Sequence, residues 1–494
     1  MTRIFHPVVA ALASLTLVAP ISAQQKAVQS GNTSKSTLDR TKIPTAAKAA
    51  DLRVPSWTKA TLADGAELVV SEKHDLPLVS FSINFVGGAA QYEPAGKTGL
   101  GSIVGQMLTE GTTHRTGDQI SNDLQLLGTG IGAGVGSESG RVGFTSTADK
   151  FEKTLAILAD VLENPSFPQE ALDRLKGRLN VQLLQNRDRT TGIAGVVFPK
   201  VLYTTDHPYG VSLTPETLAS ITRDDVASFY KSYFQPGRAI ITVVGDITPA
   251  AAKAAVDREL AGWASGGSMP KFTYPAVPAS KPTTIYLVDK PGAAQSTFAI
   301  GAPGPARDTP DYYAIRVMNE MLGVLFQSRL NHNIREVKGY SYGVFSNFAF
   351  GKGPGAFRAG GDIVTAKSDS ALIEFMKELR DIRGPRPPTD DELKQAKASL
   401  VQSLPENFAS VNGINASIGQ LYVQGLPQDY YQQFARAVNA VTADDVVRVA
   451  KTYIDPDHLA IVIVGDRTKI EAPLAATNIA PIVHLDVNGN VVDR

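Results

Sequence analysis

Cysteine is absent from the 494 residues, which excludes disulfides, thiolate metal sites and a cysteine nucleophile. It also removes the usual acceptor for a lipid anchor. An excess of either charge is missing too. Lys plus Arg and Asp plus Glu each total 48, so no global field favours nucleic acid or anionic lipid, and partners must be recognised locally. Histidine is scarce. His6, His74, His114, His207, His332, His458 and His484 include no pair at i, i+3 or i+4 that one helix face could offer a metal. Beyond the N-terminus no apolar run reaches the ~18 residues of a bilayer span, so no membrane span is expected.

What is present begins with an export signal. Arg3 gives a positive start, Val8 to Val18 is apolar, and Ile21-Ser22-Ala23 offers small residues for cleavage before Gln24. The expected organisation is a signal peptide over 1–23, leading to a bacterial periplasm, and then a flexible arm over 24–54. The arm is rich in Ser, Thr, Lys, Ala and Gln. At 43% hydrophobic content, the remainder can core two domains.

An internal repeat fixes where those domains end. Thr222 to Thr248 aligns without gaps to Thr442 to Thr468, sharing Thr-x-Asp-Asp-Val, Lys231/Lys451, Tyr233/Tyr453, Pro236/Pro456 and Gly245-Asp246/Gly465-Asp466. Each copy reads as a capping threonine, a helix, a proline break, a β-branched buried strand and a Gly-Asp turn. Ser265 to Thr284, dense in Gly, Pro and Ser, reads as the linker between two similar halves. The first domain is then expected over 55–264, the linker over 265–284 and the second domain over 285–494. Strand-like openings at Leu78 to Phe85 and Ser296 to Ile300 precede long amphipathic helices. That order predicts an α+β fold, with helices packed on a sheet in each half. A hairpin turning at Asn488-Gly489 closes the chain.

Gly99 to Thr112 (GLGSIVGQMLTEGT) and His207-Pro208-Tyr209-Gly210 resemble the insulinase, pitrilysin and mitochondrial processing peptidase family, and the resemblance extends from about Trp57 to Thr468. It implies two homologous, mainly antiparallel domains. Active members carry H-x-x-E-H on the first helix, two zinc ligands and a general base. The matching positions here are Ser102, Gly105 and Gln106. Leu100, Ile103, Val104, Met107 and Leu108 keep the apolar stripe, so the helix is expected without its chemistry. The family's third ligand is a glutamate on a later helix, whose counterpart here begins near Pro168 and runs toward Arg187. No glutamate occurs from Ala171 through Pro215, and Gln182 falls about where that ligand belongs. Amide oxygen is a poor zinc donor. No metal and no cofactor are therefore expected in this chain.

In the second half, Arg329 to Phe345 (RLNHNIREVKGYSYGVF) resembles the family's other functional element, an arginine followed seven residues later by a tyrosine, here Arg335 and Tyr342. The resemblance implies a pair that holds substrate backbone and the oxygen gaining charge, acting on the zinc site of its own chain or of a partner subunit. A guanidinium fork and a phenol suit that task. The bland reading makes Arg335 a helix C-terminal cation and Tyr342 a strand aromatic. Gly339-Tyr340-Ser341-Tyr342-Gly343 also matches G-x-S-x-G, but a nucleophile elbow needs strand, turn and helix in that order. Here a helix from about Ala314 to Val337 is expected first and a strand over Tyr342 to Phe350 second. Gly132, Gly134, Gly136 and Gly140 lack the Gly-Lys-Ser/Thr of a phosphate loop and read as a sheet-edge segment. The expected function is a non-catalytic subunit that supplies Arg335 and Tyr342 to a homologous zinc-bearing partner acting on extended peptides. The alternative is a purely structural or peptide-binding subunit.

Overall fold

The computed structural model describes residues 52–63, 65–263 and 272–492. The expected signal peptide, most of the expected arm and residues 264–271 lie outside them. Two six-stranded sheets organise the rest. The first contains β1 (Thr58–Thr61), β2 (Glu67–Glu72), β3 (Leu78–Val86), β4 (Gly132–Val135), β5 (Ser139–Thr147) and β6 (Ala239–Gly245), ordered β1-β2-β6-β3-β5-β4. The second contains β7 (Thr284–Asp289), β8 (Gln295–Pro303), β9 (Ser341–Phe348), β10 (Ala356–Val364), β11 (Ala460–Gly465) and β12 (Ile482–Leu485), ordered β12-β7-β11-β8-β10-β9. Both are mixed and mainly antiparallel, as the resemblance implied.

The duplication is visible in the registers. Asn84 pairs with Ile240 and Val86 with Ser139 in the first sheet, while Gly301 pairs with Ala460 and Pro303 with Ala356 in the second. Within each strand a fixed offset relates β2, β6, β3, β5 and β4 to β7, β11, β8, β10 and β9, so five strands correspond in order and pairing. Only the outermost strand differs: β1 is antiparallel to β2, whereas β12 is parallel to β7. In both repeat copies the helix opens on a reciprocal capping box. Thr222 Oγ1 accepts from Asp225 N (3.1 Å) and Asp225 Oδ2 from Thr222 N (2.8 Å). Thr442 and Asp445 repeat the arrangement at 3.1 and 3.0 Å.

Each sheet is covered on its second face by a helix from the other half. Helix Val411–Gln424 lies on β3 and β6, and helix Thr190–Tyr203 lies on β8 and β11. All seven residues of β6 are therefore buried, which explains its unbroken apolar run. Asn415 forms the polar joint of the first crossing. Its Nδ2 donates to Ser80 O and Thr242 O, both at 3.0 Å, and its Oδ1 accepts from Ser82 Oγ at 2.6 Å and Arg141 Nη2 at 3.3 Å.

The His207-Pro208-Tyr209-Gly210 segment has a related structural task. His207 Nδ1 accepts from Tyr209 N (3.1 Å), and the Tyr209 hydroxyl donates to the Glu138 carboxylate. Glu138, in the turn before β5, also accepts from Tyr274 Oη (2.6 Å) and Lys352 N (2.8 Å). One carboxylate thus clasps the first sheet, the segment between the halves and the second half.

The expected helix from Ala314 to Val337 is not continuous. Helix Tyr312–Asn319 runs into a π-helical turn, Glu320–Val324; the chain leaves helical geometry and resumes as Arg329–Asn331 and a second π-helical turn, His332–Val337. The physical reason lies at Gly323, where a Cβ would stand 2.2 Å from Ser346 N. The helix is pressed against β9 there and widens to accommodate the contact. The closing turn at Asn488-Gly489 is present, with Gly489 N donating to Asp486 O (3.0 Å) and Gly489 at φ +76°.

Candidate functional site

The helix that resembles the zinc helix spans Leu100–Met107. Leu100, Ile103, Val104 and Met107 are almost wholly buried in the first core. Its N-terminus is satisfied by Glu93, whose carboxylate accepts from Gly99 N (3.0 Å) and Gly101 N (2.7 Å). Burial pushes the Glu93 carboxyl above its ordinary value, against the pull of those two amides. The scaffold of the motif is therefore intact. Ser102 and Gln106 are exposed on it, and Gln106 Nε2 lies 3.4 Å from both Ser102 O and Ser102 Oγ. These two ligand positions are occupied only by a hydroxyl and an amide engaged weakly with each other.

Gly105, where the general base would stand, is buried against the edge strand β4. A Cβ at 105 would lie 2.6 Å from Gly134 Cα and 3.1 Å from Gly134 N. Two glycines from different elements thus let helix and strand meet backbone to backbone. A glutamate has no room there. Gln182 is exposed on helix Gln169–Arg187, which follows Pro168 where the third ligand's helix was expected. Its neighbours Val181 and Leu184 are each 54% exposed. A hydroxyl, a hydrogen and two amides do not fit zinc. Among the described residues no group of three or more His, Asp or Glu side chains could hold a metal ion.

Arg335 and Tyr342 occupy successive elements of the second half. Arg335 lies in the π-helical turn His332–Val337, which ends at Gly339 (φ +65°) before β9 begins. Its guanidinium stacks 4.3 Å over the Phe326 ring. It makes no hydrogen bond or ion pair among the described residues. Tyr342, second in β9, is 90% exposed and its hydroxyl is likewise uncommitted. The surroundings are firmly held. Asn331 accepts from Val344 N (3.2 Å) and donates to Phe326 O (2.6 Å), while Asn319 Nδ2 donates to Ser346 O (3.1 Å). Two free polar ends on a braced support can take a ligand without reorganising. No hydrogen bond or ring contact joins this pair to Ser102, Gln106 or Gln182 among the described residues.

Ser341 is not a nucleophile elbow. Its hydroxyl is buried, donates to Asp362 O (2.7 Å), accepts from Gly343 N (3.0 Å), and precedes a strand rather than a helix. Phe326, the platform for Arg335, escaped sequence reasoning because it lies in the break between the two π-helical turns, outside any helical period.

Comparison with known proteins agrees with this arrangement. Residues 68–194 match the family model Insulinase (Peptidase family M16), and residues 220–400 match the model Peptidase M16 inactive domain. The chain belongs to the insulinase family, peptidase family M16. Within it, the chain is 22% identical over 410 residues to the non-peptidase homolog YmxG of Helicobacter pylori, covering 81% of this chain and 92% of that protein. It is 22% identical over 441 residues to a probable mitochondrial-processing peptidase subunit beta of Arabidopsis thaliana, covering 84% of this chain and 79% of that protein. Among solved structures, a peptidase M16 inactive domain from Pseudomonas fluorescens is 26% identical with a TM-score of 0.76, covering 83% of this chain and 98% of that one. The insulinase family thus includes relatives named for lacking peptidase activity and relatives named as peptidase subunits. The residues at the site decide between such roles.

Proposed function

We propose that this chain is a non-catalytic subunit of an exported, periplasmic M16 peptidase, lending Arg335 and Tyr342 to a homologous partner that carries its own H-x-x-E-H helix and zinc. The observation that carries the reading is an asymmetry between two sets of positions. At Ser102, Gly105, Gln106 and Gln182 the donors are gone and β4 fills the space of the base. At Arg335 and Tyr342 the functional groups are present, accessible and free.

Bond cleavage then belongs to the partner. This chain's guanidinium and phenol hold the scissile region and the oxygen that gains charge. An extended peptide adds to a sheet edge, a mode that reads main chain more than side chain. β4 supports this, since its only strand partner is β5 and no hydrogen bond caps its outer edge among the described residues. The outer edge of β9 is partly satisfied by Asn319 and Asn331. Exposed Val181, Leu184, Val324, Phe326 and Val337 flank the two sets of positions, as expected where a partner or peptide covers them.

The experiment is metal analysis and peptide hydrolysis, with the purified chain alone and after mixing with a zinc-motif homologue from the same compartment. The expected result is no zinc and no turnover alone, and turnover above the partner's own when mixed. Stoichiometric zinc with hydrolysis by the chain alone refutes the proposal. Assembly without any gain in turnover favours a structural subunit instead.

A further inference from the structure

The second half contains a cavity of about 300 Å³ that does not include Arg335 or Tyr342. Its floor is aromatic, with Tyr312 and Tyr430 buried and Phe434 beside them. Its polar lining is Arg307, Arg316, Ser403, Asn407, Gln420 and Gln424. The Arg307 guanidinium lies 3.4 Å over the Tyr312 ring and 5.4 Å from that of Tyr430. Arg316, one turn along helix Tyr312–Asn319, donates from Nη1 to Tyr312 Oη at 2.9 Å.

Neither guanidinium meets a carboxylate or a carbonyl among the described residues. A purely structural arginine in this same half looks different. Arg329 donates to both Glu392 oxygens (2.7 and 2.8 Å), to Arg386 O (2.6 Å) and to Pro387 O (3.1 Å). A guanidinium carries five N–H donors. Arg329 uses four bonds, Arg316 one and Arg307 none. The nearby Asp311 is already taken by Arg448 (2.8 Å) and Tyr453 Oη (2.9 Å). Burial pushes the Tyr312 phenol up, but Arg316, Arg307 and a hydrogen bond with Tyr430 together bring its pKa below the ordinary value, while burial raises that of Tyr430. Gln424 adds a different demand. Its Oε1 is buried and has no hydrogen-bond partner among the described residues, so that oxygen lacks an N–H donor.

We infer that this cavity binds the C-terminal residue of a peptide with an apolar side chain. The carboxylate takes the two guanidiniums, the last amide N–H reaches Gln424 Oε1, and the side chain packs on Tyr430 and Phe434. A free carboxylate, an N–H and an apolar body are the features these groups leave unmet, and a chain end carries all three. The volume sits at the lower end of small-ligand sites, roughly 300–1,000 Å³, which suits a chain end and not a folded partner. The assignment does not depend on the subunit role proposed above.

Isothermal titration of the full chain tests it, with acetyl-Gly-Ala-Phe bearing a free carboxylate, the same peptide as its C-terminal amide, and benzoate as a small free acid. The acid peptide is expected to bind at least about tenfold more tightly than the amide, since charge-assisted bonds to arginine are lost in the amide. Arg307→Met and Arg316→Met are each expected to weaken the acid peptide by about tenfold or more and to leave the amide unchanged, whereas Gln424→Leu is expected to weaken both peptides. Added salt should weaken the acid alone, a measurement on the unmodified protein that holds even where a variant fails to fold. Equal binding of acid and amide, no binding of either at millimolar concentration, or benzoate binding as tightly as the acid peptide overturns the assignment.

Discussion

Gly105→Ala separates this account from helix propensity by sign. In an exposed helix interior, replacing glycine by alanine stabilises by up to about 1 kcal/mol. At position 105 the added methyl would stand 2.6 Å from Gly134 Cα, where carbon atoms prefer about 3.5–4.0 Å. The overlap is with backbone, so either β4 or the helix must shift. Overpacking of this kind costs about 1–3 kcal/mol, and the propensity gain offsets only part of it. A net loss of about 1–2 kcal/mol is expected from these two terms. Urea denaturation followed by circular dichroism reads it as a lower midpoint at unchanged slope. A raised midpoint would refute the claim that β4 occupies the place of the base. The same reasoning bears on repair: Gly105→Glu together with Ser102→His and Gln106→His adds a buried carboxylate to the clash, at a cost of several kcal/mol, and should not yield a zinc enzyme.

Two further outcomes follow from the fold. Asn415→Leu removes the amide's bonds to Ser80 O, Thr242 O and the Ser82 hydroxyl at the crossing of the halves and leaves Arg141 Nη2 without that acceptor, and is expected to lower stability by about 2–4 kcal/mol in the same urea assay; a loss below about 0.5 kcal/mol would contradict that role. His207 is buried, burial lowers its pKa from the ordinary 6.5, and its Nδ1 must remain unprotonated to accept from Tyr209 N. Because the unfolded chain takes up this proton first, the stability from the clasp is present above about pH 6.5 and lost as pH falls below it. His207→Phe should therefore flatten the urea midpoint between pH 5 and 8 relative to the unmodified chain, and identical profiles would count against the clasp.

Much of the fold was legible because it is written twice. The Thr-x-Asp-Asp-Val repeat marks two capped helices, and the β-branched runs after Pro236 and Pro456 become the buried strands β6 and β11. The loss of zinc donors was equally readable, since it rests on residue identity at the positions of one helix. The reason a base cannot return was not, because the Gly105–Gly134 contact joins segments that no local period relates. Nor was the crossing of helices between halves. Asn415 reads as one polar residue in a weakly amphipathic helix until β3 and β6 are placed against it. The break at 325–328 was missed for a similar reason: the apolar pattern from Ala314 onward is helical, and only the close approach of Gly323 to β9 widens the turn.

The central claim is that this chain contributes two side chains to chemistry it cannot perform alone. Peptide turnover by the complex with a zinc-motif homologue, measured for the unmodified chain, Arg335→Ala and Tyr342→Phe, tests it most directly. Each substitution is expected to lower kcat by roughly 10²–10³-fold, the scale for removing one oxyanion donor. Assembly and thermal stability should be unchanged, since neither side chain makes a hydrogen bond within the described chain. Turnover that stays at the unmodified level in both variants would contradict the account.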